Sequence, residues 1–367
     1  MKLREQLAEL IYALPMTNAE CQWVSGRIGF LSVKEHYQLW AALQRRESLY
    51  GLLGKQGDAL LAEILKRPPT ITVDAISCLL ELPYYEVCYP AGSYEELGEY
   101  YLLYEAGTPA SSFPYTDLYQ IGVLYEQSHP GLFIDQCFVA YPQHPLANPY
   151  RGNNVEVLSG DGSWSVRLKL ASAANSDGVW ICLPDYSSMN DGKPDEVALA
   201  LWELQASSLQ ECTLLDAKCS LPEVQNLMGQ YNSLEDLVRD GNNLGFLLDE
   251  HGQGAHNFLE KYHAALTFEN CQTLPLALDL GQNLHCYDYL QREGVPEYGR
   301  RKLAEQGCVF GDPQILAGNI DYPAYGKAML EQEGYVPTST GDYIRRNGQQ
   351  FRFERTAPEG PDLISRL

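Results

Sequence analysis

The chain has 367 residues, enough for two or more domains with cores of their own, and its 45% hydrophobic and 20% charged content is that of a globular protein. Its 48 acidic residues against 26 Lys and Arg leave a formal charge of −22. That surplus argues against ordinary nucleic-acid binding, which needs basic patches to neutralise phosphate, and favours basic partners drawn in by the long-range field.

MKLREQLAEL carries charge where a secretory leader needs an apolar stretch. No run approaches the roughly 20 apolar residues of a membrane span. The ten cysteines are scattered without a CxxC pair, which predicts free thiols and a cytoplasmic protein.

In chain order, Leu3–Leu14 carries a helical stripe, and Glu20–Val24 and Arg27–Leu31 read as short strands around Ser25-Gly26. Helical patterns follow at 33–46, 58–66 and 71–81, the last two separated by Pro68-Pro69. Tyr84–Tyr89 predicts a strand, Tyr94–Tyr104 and Asp117–Glu126 helices, and Leu132–Tyr141 a strand. Residues 142–163 are rich in Pro, Asn and Gly and predict a linker, placing domains at 1–146 and 164–355 around a linker at 147–163, with a tail at 356–367. Beyond it, strands are expected at 165–171, 178–183 and 211–219, and a helix from Pro194. Further helices are expected at 221–230, 233–248, 255–265, 273–282, 296–306 and 322–333, and strands at 284–289 and 349–353.

Residues 68–150 hold ten carboxylates and twelve tyrosines but no Lys or Arg. The stretch is also apolar enough to fold, so its charge is expected in fixed places on a structured surface. Glu86, Glu95, Glu96, Glu99, Glu105, Asp117 and Glu126 are its candidate partner-binding residues. Glu95 and Glu99 are like charges at i,i+4, an arrangement that costs helix stability and so hints at a use, although a plain solvated helix face would look the same. Asp185, Asp191, Asp195 and Glu196 gather at a helix start, where the dipole alone also explains them. Glu235, Asp236, Asp240, Asp249 and Glu250 share one expected helix and its end. Asp321 reads as an N-cap. The tyrosines suit both half-buried packing and a partly wet interface.

The halves match each other. Residues 1–31 align with 192–222, Glu20-Cys21 falling on Glu211-Cys212. The order of helix, strand and helix at 71–104 recurs at 273–306, with Cys88 on Cys286 and Gly98 on Gly299. Tyr119–Leu124 falls on Tyr325–Leu330. Shared order with shared landmarks predicts a tandem duplication.

Four segments resemble the antirestriction protein ArdA family: Gly178-Val-Trp-Ile-Cys-Leu-Pro184 with the acidic helix after it, Glu211–Pro222, Asn232-Ser-Leu-Glu-Asp-Leu237, and Asn319-Ile-Asp-Tyr-Pro-Ala-Tyr-Gly326. The likeness covers about 178–353, and reaches the first half only through the repeat. It implies an α+β fold of two ArdA-like units with small antiparallel sheets, elongated, and dimeric or pseudo-dimeric within one chain. It also implies an acidic DNA mimic, carried by a mobile element, that occupies the DNA groove of type I restriction-modification enzymes without catalysis, cofactor or metal. The charge is of the right size: with one phosphate per roughly 1.7 Å of duplex axis, 22 negative charges equal about 11 base pairs. From residue 251 onward, however, 15 acids face 11 bases.

Two other classes stay open: an adaptor that keeps the fold but binds another basic partner, and a hydrolase using Glu81 with Glu86 or Asp279 with Asp288. There is no G-x-S-x-G elbow or Walker loop, and Gly252-Gln-Gly254 follows no strand. His251, His256 and His263 lie near helical spacing but have no cysteine partner that would complete a metal site.

Overall fold

The computed structural model describes residues 2–112, 115–143, 150–158, 164–188, 192–252, 257–305 and 320–356. Asp191, His256, Cys308, Asn319 and the tail from 357 lie outside the described residues, as do the side chains of Glu250 and His251. The fold is mixed α and β, with three small three-stranded sheets among the described residues. No helix among them is long and apolar enough to cross a membrane.

The chain forms two compact units, one of residues 1–218 with 233–235, the other of 219–232 with 236–367. The boundary expected at 147–163 is therefore wrong; that segment belongs to the first unit. Tyr150, inside it, is buried, and its hydroxyl donates to Glu20 at 2.6 Å.

The first unit opens with helices α1 (Lys2–Tyr12), α2 (Asn18–Ile28) and α3 (Val33–Arg45). The expected strands at 20–31 are thus corrected to one helix. Thr17 and Glu20 form a capping box that starts it, and Glu20, Val24, Arg27 and Ile28 bury one face at helical spacing. Ser25-Gly26 sits inside the helix and makes no turn. A second capping box, Ser32 with Glu35, starts α3. Helices α4 (Gly57–Ile64) and α5 (Ile71–Glu81) follow, then a 3₁₀ turn Leu82–Tyr84 and strand β1 (Glu86–Cys88). Helix α6 (Tyr94–Tyr100) runs into a π turn, Tyr101–Glu105, and α7 (Leu118–Ser128) packs against it. The strand expected at 132–141 is a hairpin, β2 (Gly131–Ile134) and β3 (Cys137–Ala140), because Asp135 takes a φ of +50° at the two-residue turn. The sheet runs in the order β1-β3-β2.

Strands β4 (Val166–Ala171) and β5 (Val179–Leu183) pair antiparallel, Val166 opposite Leu183, with β6 (Thr213–Cys219) on the other side of β4. Helix α8 (Glu196–Leu204) packs on β5 and α3. Between these layers lies a chain of buried charge. Glu35 takes Arg27 at 2.6 Å and has Arg167 of β4 at 3.9 Å. Ser32 donates to Glu196 at 3.0 Å, and Lys34 pairs with Asp195 at 2.5 Å. Asp185 accepts the Ser187 and Val197 amides at 2.8 and 3.0 Å. Burial works against the Glu35 carboxylate, but Arg27 and Arg167 outweigh it and hold its pKa below the usual range. At Glu196 burial wins over Lys34 and raises the pKa well above that range. Burial likewise pushes His36 down to about 3, so its ring is neutral, with Nδ1 2.6 Å from the Ser32 carbonyl.

In the second unit the helix expected at 221–230 is absent; a 3₁₀ turn Leu227–Gly229 follows Asn226 at φ +52°. Helices α9 (Leu234–Gly252), α10 (Phe258–Phe268) and α11 (Leu274–Gln282) lead to a 3₁₀ turn Leu284–Cys286 and strand β7 (Tyr287–Leu290). Then come α12 (Val295–Glu305), α13 (Tyr322–Gln332) and the strands β8 (Val336–Pro337) and β9 (Tyr343–Arg346). The last strand among the described residues is therefore β9 and not 349–353. Residues 352–356 hang instead on side chains: Arg352 N–H donates to Asn283 at 2.9 Å. Buried Asp279 accepts the amides of Glu354, Arg355 and Thr356 and the Thr356 hydroxyl, at 3.1, 3.1, 2.9 and 2.6 Å.

One arrangement occurs in both units: helix, 3₁₀ turn, strand, helix, helix, two strands, with sheet orders β1-β3-β2 and β7-β9-β8. In each, paired glycines let two helices touch backbone to backbone. A Cβ on Gly122 would lie 2.0 Å from the Tyr94 carbonyl oxygen, and one on Gly326 2.3 Å from that of Val295. Gly98 and Gly299 face these crossings from the other helix, as the sequence match has them. The second helix needs a two-residue correction: Asp117 matches Asp321, each capping its helix by accepting an amide, at 3.1 and 3.0 Å. The match of 1–31 with 192–222 is not structural, since α2 faces a strand there.

Gly122→Ala should cost about 1–3 kcal/mol by overpacking, read as a lower urea midpoint, whereas Gly26→Ala, whose Cβ meets nothing within 4 Å, should gain about 0.5–1 kcal/mol. Because Glu196 binds its proton more tightly folded than unfolded, it makes stability fall as pH rises above the ordinary glutamate value until its own raised pKa is passed. Glu196→Gln should flatten that slope in denaturant titrations run at pH values above the ordinary glutamate pKa.

Candidate functional site

The acidic lobe of the first unit consists of β1, α6, α7 and the β2–β3 hairpin. Its core is Cys88, Ala91, Leu97, Tyr100, Tyr125, Phe138 and Ala140. Tyr100 and Tyr125 are therefore packing residues, with desolvation pushing both hydroxyls far above the ordinary tyrosine value. Tyr94 packs edge-on against Tyr119 at 5.2 Å and Phe133 at 5.0 Å. The outer side carries exposed rings: Tyr84, Tyr101, Tyr115 and Tyr119.

The carboxylates divide by what they touch. Glu95 and Glu99 are exposed on α6, one turn apart. Glu96 accepts the Gly92 amide at 2.7 Å, and Glu126 accepts the Tyr94 hydroxyl at 2.7 Å. Asp117 caps α7, and Asp135 is exposed at the hairpin turn. Among the described residues none of these six makes an ion pair. Two expected members are neutralised from outside the stretch: Lys193 bridges Glu86 and Glu105, the latter at 2.8 Å. Burial opposes the Lys193 charge, but the hydrogen bonds it donates to Glu105 and Glu86 outweigh it and push the ammonium up to about 12. Similarly Arg46 pairs with Glu81 at 2.5 Å.

Other expected contacts are corrected. Asp185, Asp195 and Glu196 are buried in the charged layer between α3, β5 and α8, and cannot meet a partner. Asp240 is buried, taking Arg355 and, at 2.9 Å, the Tyr231 hydroxyl. Asp236 is half-buried and pairs with Arg239 at 2.6 Å. Glu235 and Asp249 are exposed, Glu235 accepting the Ser233 hydroxyl at 2.8 Å.

The second unit pairs several of its acids internally. Asp288 takes Arg345 at 2.9 Å and Glu269 takes Arg346 at 2.7 Å. Glu333 takes Lys302 at 2.8 Å and the Tyr298 hydroxyl. The pairs considered for hydrolysis are spoken for: Glu81 and Glu86 by Arg46 and Lys193, Asp288 by Arg345, and Asp279 by backbone amides. Among the described residues no group of three or more His, Cys, Asp or Glu is placed to hold a metal ion. The cysteines described are free thiols, and burial pushes Cys78 and Cys88 up to about 12, so they are protonated and unreactive.

No protein-family model matches the chain, and no match is found among curated proteins or solved structures.

Lys193 is the one cation described beside the β1 and π-turn acids. Lys193→Gln should release two carboxylates. Because Glu86 and Glu105 are well exposed, the expected stability loss is under about 1 kcal/mol and shrinks with added salt, read by urea unfolding at two ionic strengths.

Proposed function

We propose that the acidic lobe of the first unit is the contact surface of a stoichiometric inhibitor, which offers carboxylates to a basic DNA-binding cleft in place of duplex phosphates. In this reading the protein is an antirestriction protein of the ArdA kind, built from two ArdA-like repeats and acting on type I restriction-modification enzymes without chemistry or cofactor. The observation that carries it is the group of six carboxylates on one small lobe, Glu95, Glu96, Glu99, Asp117, Glu126 and Asp135, with no ion pair among the described residues. Arg and Lys of a DNA cleft would meet them with charge-assisted hydrogen bonds. The rigid helix crossing at Gly98 and Gly122 supports the reading, since fixed anions lose less entropy on binding than mobile ones.

A second reading draws on the second unit. Asp288, Glu269 and Asp240 are paired with its own arginines, although it holds part of the ArdA-like sequence. That favours an adaptor of a mobile element which keeps the fold and presents the acidic lobe to some other basic protein.

Binding to a purified type I restriction enzyme at low and high salt separates the two. Mimicry predicts binding at low salt that weakens steeply as salt rises, and loss of roughly tenfold or more in affinity for the double variant Glu95→Lys with Glu99→Lys. Absence of binding at low salt rejects mimicry of that enzyme. Both glutamates are exposed, so circular dichroism of the variant should match the parent.

A further inference from the structure

Two places in the second unit show how this chain holds a cation. Tyr287 donates its hydroxyl to Glu269 at 2.8 Å. Arg346 Nε lies 2.7 Å from the same carboxylate, and its guanidinium 5.7 Å from the Tyr287 ring centroid. Likewise Tyr298 donates to Glu333, which takes Lys302 at 2.8 Å, and the ammonium lies 5.5 Å from the Tyr298 centroid. Each arrangement has a tyrosine ring, a carboxylate held by that tyrosine's hydroxyl, and a cation that meets both. The ring face attracts the charge through its quadrupole, while the hydroxyl fixes the carboxylate where the cation needs it. The acidic lobe itself carries a related case: Lys193 bridges Glu86 and Glu105 with its Nζ 5.3 Å from the Tyr100 centroid.

The α6–α7 pair of that lobe presents the ring and the carboxylate without the cation. Tyr94 donates its hydroxyl to Glu126 Oε2 at 2.7 Å, and among the described residues this carboxylate makes no ion pair and no other hydrogen bond. Both side chains are half-buried and so can be reached. Beside them Tyr119 is 48% exposed, its ring centroid 5.2 Å from that of Tyr94. Phe133 braces Tyr94 from the hairpin at 5.0 Å. No described Lys or Arg lies over Tyr94 or Tyr119, and Arg45, which lies over Tyr141 at 5.5 Å, makes no ion pair with Glu126. We propose that Tyr94, Tyr119 and Glu126 form a binding site for an arginine side chain of the partner. This rests on the reading of the lobe as the contact surface for a basic protein, whichever protein that is. Glu126 Oε1 accepts a guanidinium N–H, and the planar group lies against the Tyr119 ring. Two adjoining rings suit a flat, weakly hydrated guanidinium better than a compact, strongly hydrated ammonium. Glu95 and Glu99 draw any basic segment to the lobe by charge; the tyrosines select arginine over lysine.

The probes are hexa-arginine and hexalysine, peptides of equal charge, titrated calorimetrically into the full chain at low salt. Hexa-arginine is expected to bind about fivefold more tightly. Tyr119→Leu leaves the charge unchanged and should bring the two peptides to within about twofold of each other. Glu126→Gln should weaken hexa-arginine more than hexalysine. Tyr119 is exposed, so circular dichroism of its variant should match the parent. Equal affinities in the parent, or an undiminished preference in Tyr119→Leu, overturn the arginine site and leave the reading of the lobe standing. Failure of both peptides to bind at low salt overturns the lobe as a contact surface, and the site with it.

Discussion

Glu35 has to remain charged where water cannot reach it. Its carboxylate is buried, caps its own helix through the Ser32 amide at 2.8 Å, and receives Arg27 from α2 and Arg167 from β4. An isolated buried charge would cost several kcal/mol, so each of these groups is tolerable only while the others are in place. Ser32 extends the chain to Glu196 at the start of α8, and Lys34 extends it to Asp195. The network joins residues that lie more than 130 positions apart and belong to four elements. It thereby specifies how the helices of the N-terminal part meet the β4–β5 hairpin, and it makes a domain boundary between them impossible. Replacing such a network with apolar side chains can be neutral for stability. What it supplies here is a single permitted register, because a slip of β4 by one residue would turn Arg167 away from Glu35.

The glycine crossings work at shorter range. Carbonyl oxygens of one helix lie against the α-carbons of the next, so that the helices touch through backbone and leave their side chains for other surfaces. In the first unit those side chains are mostly acidic or aromatic. In the second they include Arg300, Arg301 and Lys302, with Lys302 and Arg301 lying over Tyr298. One scaffold is thus used twice, with different treatment of its charge: six carboxylates without an ion pair among the described residues in the first unit, and Asp288, Glu269 and Glu333 paired with Arg345, Arg346 and Lys302 in the second.

Much of this was readable in the sequence where periodicity was long and unbroken. Helices α3, α5, α11 and α12 and strands β4 and β5 fall where their patterns place them. The Gly98 and Gly299 landmarks also revealed the recurring arrangement, because only glycine permits the approach found there. The misreadings have local causes. Ser25-Gly26 has the composition of a turn, but the Thr17 capping box and the buried face of α2 override it. Strand β9 was hidden because two of its four residues are arginines, charged to meet Asp288 of β7 and Glu269 at the C-terminal end of α10. The acidic surface was only partly legible for a different reason. Composition states how many carboxylates there are, but the partners that remove them are distant in sequence: Lys193 is 107 residues from Glu86, and Arg355 is 115 from Asp240.

Asp279 uses its carboxylate on main chain, gathering three consecutive amides and a hydroxyl near residue 356 onto the buried side of α11. The segment beyond β9 is therefore a strap fastened by a rivet, and it completes the solvation of a charge that α11 holds in its interior. A shortened chain ending before Glu354 would leave that anion stranded, so the second unit cannot be trimmed back to its last strand without unsettling the helix that carries Asp279, whereas appended sequence past the rivet would be carried at no such cost.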